Sequence, residues 1–472
     1  MKSKSTLALA AALALTGAGI ASAQTYHVSG STAYRVADVS AEVNFLISSK
    51  GSAVAAYSGS SLTGANTSVI QSGDGSVTFE NVFNGSILGD ESVSGVTVTG
   101  NGNKIAFPTT TGLTLSAATQ ATTTAAASGG TPVASFTNEA ATFCDIAFSD
   151  VSFATAQKVI KLATSTTASA NNGGTVGIVP FVFVANPSSD VTDFGSSTVT
   201  TGSVTSATET VTVSVTPQNF SNLYGNAAVA GSIFTGLASD SGVTVLATGR
   251  DIDSGTRATA LAETGYLLKG SGAAAVTGVV SQVYPLDASG NIVGNVGNGP
   301  IDNFEQVPAA TVDGISLTAG DSGYASGGNL AKALSTIQDS NSTATVFVGY
   351  LGVSDAFTAL TANASGRVAA KLLAYNGSSF NPAGSTTASG FATPTDLTKI
   401  YEGQYTYWGF EHVYFNSNNA GTSGNQNSAN PSSVVTSLVS ELNTDGIDVL
   451  SSAGVHAASM VVSRSDDGLL VN

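Results

Sequence analysis

The sequence predicts an α/β fold, because three segments each run from an apolar strand through a turn of small hydroxyl residues into a helix. Tyr26-His27-Val28 leads through Ser29-Gly30-Ser31-Thr32 into a stretch where Val36, Val39, Val43, Leu46 and Ile47 recur at helical spacing. Residues 143–148 form a short apolar strand ending in Ser149-Asp150, with a helix-like stretch following to Leu162. Residues 243–247 are a strand feeding Arg250-Asp251-Ile252-Asp253-Ser254-Gly255-Thr256, after which residues 257–263 read as helix. Strands alternating with helices favour an α/β sheet whose ligand groups gather at strand C-terminal ends.

The remaining elements follow in order. Residues 75–107 are strand-like, with a turn at Phe83-Asn84-Gly85-Ser86, and residues 108–132, rich in Thr, Ala, Ser and Gly, read as a surface loop. Residues 176–185 are a continuous apolar run broken by Pro180, which suggests a buried strand carrying the chain between two lobes. Thr or Ser alternates with Val over 199–215, the two-residue period of a half-buried strand pair. Thr216-Pro217 has the form of a helix cap with Pro at the first helical position. Residues 345–352 are another apolar strand, expected to return the chain to the first lobe. No regular internal repeat is visible.

Composition narrows the function. Lys2 and Lys4, an apolar stretch over 6–20 and Ala21-Ser22-Ala23 read as a secretory signal over residues 1–23, with cleavage before Gln24. No Cys follows that site, so a lipid anchor there is not expected, and no later run is long and apolar enough to span a bilayer. The expected mature protein is soluble and periplasmic or secreted. The whole chain carries a formal charge of −16, and loss of two lysines takes it to −18, which argues against nucleic acid or an anionic membrane as partner. A small anion is not excluded, since local donors act within a Debye length of about 10 Å. Charged residues make up 10% and apolar residues 42% of the 472, which favours a packed fold over disorder. Cys144 is the only cysteine and reads as a buried thiol.

The Arg250–Thr256 segment brings a guanidinium, two hydroxyls and backbone N–H groups within reach of one small volume. Gly255 lets backbone approach a ligand closely. At the N-terminus of the following helix, unpaired N–H groups and the dipole favour an anion. Ser and Thr in that position also serve as plain helix caps.

Taken together, Ser29-Gly30-Ser31-Thr32-Ala33-Tyr34, Asp145-Ile146-Ala147-Phe148-Ser149-Asp150 and Arg250 through Thr256 resemble the periplasmic phosphate-binding proteins of ABC transporters, in order and rough spacing. Gly85-Ser86, Gly349-Tyr350-Leu351 and Gly403-Gln404-Tyr405-Thr406-Tyr407-Trp408 are similar to further family segments. The resemblance implies a two-lobed, periplasmic-binding-protein-like α/β fold of type II, each lobe a central sheet flanked by helices with the ligand cleft between them. It implies lobe 1 over 24–180 plus 350–472 and lobe 2 over 181–349. It also implies a ligand site of Ser31, Thr32, Ser86, Asp150, Arg250, Ser254, Gly255 and Thr256, and an ABC permease as partner. Asp150 is the telling residue, because a carboxylate beside an anion suits a ligand that carries a proton. Hydrogen phosphate does and sulfate does not, and an unpaired acceptor could discriminate by up to about 10⁴-fold. Asp150 also reads as a helix cap after a strand. The family's acid two residues after the Arg is here Ile252, and Arg35 and Arg257 add charge near the expected cleft.

Other signals point elsewhere. Gly320-Asp321-Ser322-Gly323 is like a serine-protease segment, but His27, His412 and His456 lie in no matching context, and a Gly-rich turn is the better reading. The histidines and Cys144 are too scattered to suggest zinc, so no metal and no cofactor is expected. Asp466-Asp467-Gly468 reads as a solvated turn rather than a calcium loop, and Tyr401, Tyr405, Tyr407, Trp408 and Phe410 as packing rather than a sugar platform. The expected protein is a monomeric, non-enzymatic solute-binding protein taking phosphate or a related oxyanion. The alternatives are a structural or surface protein that keeps the fold without transport, or a secreted phosphate-ester hydrolase.

Overall fold

Two sheets carry the fold, and one long strand belongs to both. The computed structural model describes residues 23–95, 104–122, 125–159, 171–188, 194, 198–201, 209–266, 279–297, 299–312, 315–338, 344–379, 381–386, 392–395, 397–416, 430–443 and 455–468. The leader expected over 1–23 lies outside the described residues but for its last position. In chain order the elements that position the site are β1 (Gln24–Gly30), α1 (Arg35–Lys50), β2 (Ala53–Ser58), β3 (Thr67–Ser72), β4 (Val77–Val82), α2 (Ser86–Val93), β5 (Ile146–Ser149), α3 (Phe153–Val159) and β6 (Asn171–Ala185). They continue with α4 (Pro217–Asn226), β7 (Thr244–Ala247), α5 (Gly255–Glu263), α6 (Gly327–Leu334), β8 (Thr345–Gly352), α7 (Val353–Leu360), β9 (Lys371–Tyr375), β10 (Trp408–Phe415) and α8 (Ser432–Asn443).

The first sheet runs β6–β10–β5–β1–β4–β3–β2, with β1 parallel to β4 and β5 and the other neighbours antiparallel. The second sheet holds Ala228–Ala230, β7, β8, β6 and β9, with only β7 and β8 parallel among these. β6 changes sheets in mid-strand. Pro180 still pairs with Trp408 of β10, whereas Phe181 pairs with Gly352 of β8. Proline has no N–H to give a ladder, so it is tolerated where pairing is handed from one sheet to the other. The α/β, two-sheet architecture with flanking helices is thus the expected class. β8, expected to return the chain to the first lobe, instead lies between β7 and β6 in the second sheet. β9 pairs there too, and the chain rejoins the first sheet at β10.

Local chemistry explains the helices. Gly51, at φ 82°, closes α1 by donating its N–H to the Ile47 carbonyl. α4 starts with a capping box, in which Thr216 and Asn219 exchange side-chain-to-backbone bonds, and with Pro217 in its first turn. α1 is buried almost all round because residues 108–132 do more than loop over the surface. Asn44 accepts from the Ala121 N–H at 2.8 Å, and Ser40 Oγ accepts from Ala127 at 3.1 Å. Short strands at Ser116–Thr119 and Thr131–Val133 join β2. Residues 75–107 likewise differ from the strand-like expectation, since α2 occupies their middle.

The C-terminal aromatics are core. Tyr405, Tyr407 and Trp408 are buried, Phe183 stacks on Tyr407 at 4.8 Å, and the Arg464 guanidinium lies 3.8 Å over Trp408. Asp467 is no solvated turn residue. It is buried and accepts from the N–H groups of Ser152 and Phe410, each at 2.7 Å, with His412 Nε2 at 3.1 Å. It therefore ties the chain end to the start of α3.

Candidate functional site

The three hydroxyl-rich turns meet at the C-terminal ends of β1 and β5, against the N-termini of α1, α2 and α5. Asp150, just past β5, accepts from the Ser86 hydroxyl at 2.5 Å and from the Thr256 hydroxyl at 3.1 Å. Thr259 Oγ1 donates to the Asp150 carbonyl at 3.0 Å, and Ile87 N–H to the Asp253 carbonyl at 3.0 Å. α5 and the loop before it are thereby fastened to groups carried by the first sheet. Arg250 Nη1 reaches Thr32 Oγ1 at 3.4 Å, which brings the β1 turn into the same cluster. Gly255 sits so tightly that a Cβ there would come 1.7 Å from Asp150 Oδ1 and 2.6 Å from Ser86 Oγ. Only glycine fits that position.

Ser31 and Ser254 are engaged locally. Ser31 Oγ accepts the Tyr34 N–H at 3.2 Å, and Ser254 Oγ caps α5 through Arg257 N–H at 3.2 Å. Gly255 and Thr256 open α5, so their N–H groups precede any intrahelical acceptor and face the cluster with the positive end of the helix. All eight candidate residues are buried.

Arg250 replaces the missing acid at position 252 with main-chain oxygens. Its Nε donates to the Tyr324 carbonyl and its Nη2 to the Ala325 carbonyl, each at 3.0 Å. Two bonds fix the guanidinium plane and leave Nη1 for the cluster. Ile252 packs into the core instead. Asp355, in the first turn of α7, supplies the nearby negative charge. A Cβ on Gly327 would meet Asp355 Oδ2 at 1.9 Å and Arg250 Nη1 at 3.3 Å, so the two groups flank the same point. Asp355, Tyr324 and Ala325 were missed in sequence. The Asp355 signal lies in β8 running directly into α7, a fourth strand-to-helix junction; the two carbonyls carry no residue-type signature.

Electrostatics follow from burial. Burial raises the Asp150 carboxyl above its ordinary range, while the Ser86 hydroxyl, the Arg250 guanidinium and the Thr256 hydroxyl pull it back. Burial also raises Asp355, opposed by Arg35 and Arg250, and lowers Arg35. Arg35 therefore does add positive charge at the cluster. Arg257 does not. Its Nη2 pairs with Asp321 Oδ1 at 2.7 Å and its Nη1 donates to the Asp321 carbonyl at 3.0 Å, which consumes it in a buried ion pair. Gly320-Asp321-Ser322-Gly323 is the turn that provides this partner.

Hydroxyls, a guanidinium, three helix N-termini and two buried carboxylates, Asp150 and Asp355, suit a small anion that can offer a proton. No known sequence family matches the chain, and no curated protein matches it by sequence. Among solved structures, the chain is similar to a possible phosphate binding protein from Planctomyces limnophilus DSM 3776, at 12% identity and TM-score 0.36, over 93% of this chain and 95% of that one. It is also similar to an ABC-type phosphate transport receptor from Vibrio cholerae, at 11% identity and TM-score 0.38, over 90% of this chain and 97% of that one.

Proposed function

We propose that the chain is an exported solute-binding protein that encloses hydrogen phosphate between two lobes closing about Pro180. One observation carries the reading: Asp150, on the first sheet, is bonded to Thr256 at the start of α5, next to Arg250. A cleft site shut by hinge motion needs such a contact between the two sides. Each hydroxyl at Asp150 turns about a single bond, so it can pass its donor to a ligand oxygen while Asp150 accepts the ligand's proton. Thr32, Ser86, Arg250 and the N–H groups of Gly255 and Thr256 would bind the remaining oxygens, with Ser31 and Ser254 holding their turns in place. We place the second lobe from residue 181 to beyond Tyr375, because β9 still pairs with β6 there, and return the chain to the first lobe before β10. Delivery to an ABC permease outside the cytoplasm is the corresponding transport role.

Isothermal titration of the chain from Gln24 onward with phosphate, arsenate and sulfate tests this. Phosphate and arsenate should bind one per chain and sulfate much more weakly. No heat with any of the three would end the proposal. Asp150→Asn should reduce the phosphate-over-sulfate preference by about tenfold or more, since the amide offers donors to sulfate; an unchanged preference would remove the role given to Asp150.

A further inference from the structure

We propose a second site, for a zinc-class divalent cation, built from His27 of β1, Glu80 of β4 and Glu139. β1 and β4 are parallel with His27 in register with Glu80, so both side chains leave neighbouring backbones on one face of the sheet. The imidazole Nε2 and one carboxylate oxygen from each glutamate all lie within 4.8 Å of one another. Nε2 stands 3.4 Å from Glu80 Oε2 and 2.8 Å from Glu139 Oε1. Donor atoms about 2.0–2.2 Å from a tetrahedral zinc are separated by about 3.3 Å, close to both His27–glutamate spacings.

Three further observations favour a bound ion over a chance ion pair. First, neither His27 ring nitrogen nor Glu139 Oε1 makes a hydrogen bond of proper geometry, although all three are buried. Second, Asp145 Oδ2 lies 3.2 Å from the ring Nδ1 and accepts the backbone N–H of His27 at 2.9 Å. A carboxylate placed behind the far nitrogen is the usual outer partner of a metal-ligating histidine. Third, Phe107 packs on the imidazole with ring centroids 4.7 Å apart, which holds the ring plane. Glu139 is the one partly exposed ligand, with 27% of its side chain accessible, so it forms the open side through which an ion would come. One nitrogen and two carboxylate oxygens suit zinc or manganese better than a soft cation. Bound there, the ion would cross-link β1, β4 and the segment ahead of β5.

The competing occupant is a proton. Burial lowers the basicity of His27, but Asp145, Glu139 and Glu80 outweigh it and raise the imidazole to about 11. An imidazolium caged by carboxylates explains the same residues without a metal. Zinc titration of the full chain from Gln24 onward, after chelation and dialysis, separates the two, with cobalt absorption as a second readout. One equivalent should bind, with the cobalt form showing tetrahedral d–d bands. Glu139→Gln, at the exposed ligand where folding is least at risk, should weaken binding about 10–100-fold. His456→Ala, outside the cage, should leave it unchanged. Absence of a stoichiometric site, or a site abolished by His456→Ala and indifferent to Glu139→Gln, would overturn the proposal in favour of the caged proton.

Discussion

Gly255 shows how much of the candidate site rests on a missing atom. Adding one methyl there drives a carbon into Asp150 Oδ1 and Ser86 Oγ at distances no packing tolerates. Gly255→Ala should therefore separate α5 from Asp150, costing roughly 1–3 kcal/mol by overpacking and abolishing phosphate heat in titration. A variant that keeps both wild-type stability and binding would show that the contact is incidental. Gly255 stood out in sequence because a glycine between Ser and Thr ahead of a helix lets the backbone approach a neighbour closely. The Tyr324 and Ala325 carbonyls were not, because any residue type presents the same oxygen. Ile252 marked only that the expected acid was gone.

Helices and strands were legible where the signal is local. The Thr216-Pro217 start of α4 is a matter of four consecutive residues, and the structure shows both halves of the capping box. Thr216→Ala should cost about 1 kcal/mol, read as a lower urea midpoint with an unchanged slope; no loss would mean that packing alone sets this end. Burial of α1 on its polar side was not legible, because the helical spacing of Val36, Val39, Val43, Leu46 and Ile47 marks one face only. Ser40 and Asn44 are covered by residues near 121 and 127, and nothing in a helical period announces what will pack on the far side. β8 is a strand as its apolar run predicts, but such a run records burial and not the identity of its neighbours, which are β7 and β6.

Across the whole molecule the unusual feature is how many acids are buried. Asp38, Glu42, Asp90 and Glu411 are buried, and burial raises each of them, Glu42 to about 8. The Glu42 carboxylate has one bond, from Asn81 Nδ2 at 2.7 Å, and the carboxylates of Asp38 and Glu411 have no hydrogen-bond partner among the described residues. An acid whose folded value lies above its unfolded value makes the native state hold a proton that the unfolded chain releases. Its stabilising effect is complete below the unfolded value and is lost as pH rises through the folded one. For Glu42 that window runs from about 4.5 to about 8. The urea midpoint should therefore fall between pH 5 and pH 8, and Glu42→Gln should flatten the fall by roughly 2–4 kcal/mol at pH 8. A midpoint that rises over this range, or a slope untouched by the substitution, would show that these carboxyls are ionised in the fold.

By itself the sequence determined the α/β class, the strand–turn–helix units and the hydroxyl-rich turns, because each depends on residues a few positions apart. Tertiary structure decided what those turns face. Asp150 meets Ser86 and Thr256 from segments 64 and 106 positions away, and Arg250 is held by carbonyls 74 and 75 positions on. The same holds for His27, which looked isolated in sequence and gains Glu80, Glu139 and Asp145 only once β1, β4 and β5 lie side by side. Side-chain chemistry is written residue by residue, whereas the company a side chain keeps is set by which backbones the sheet brings together.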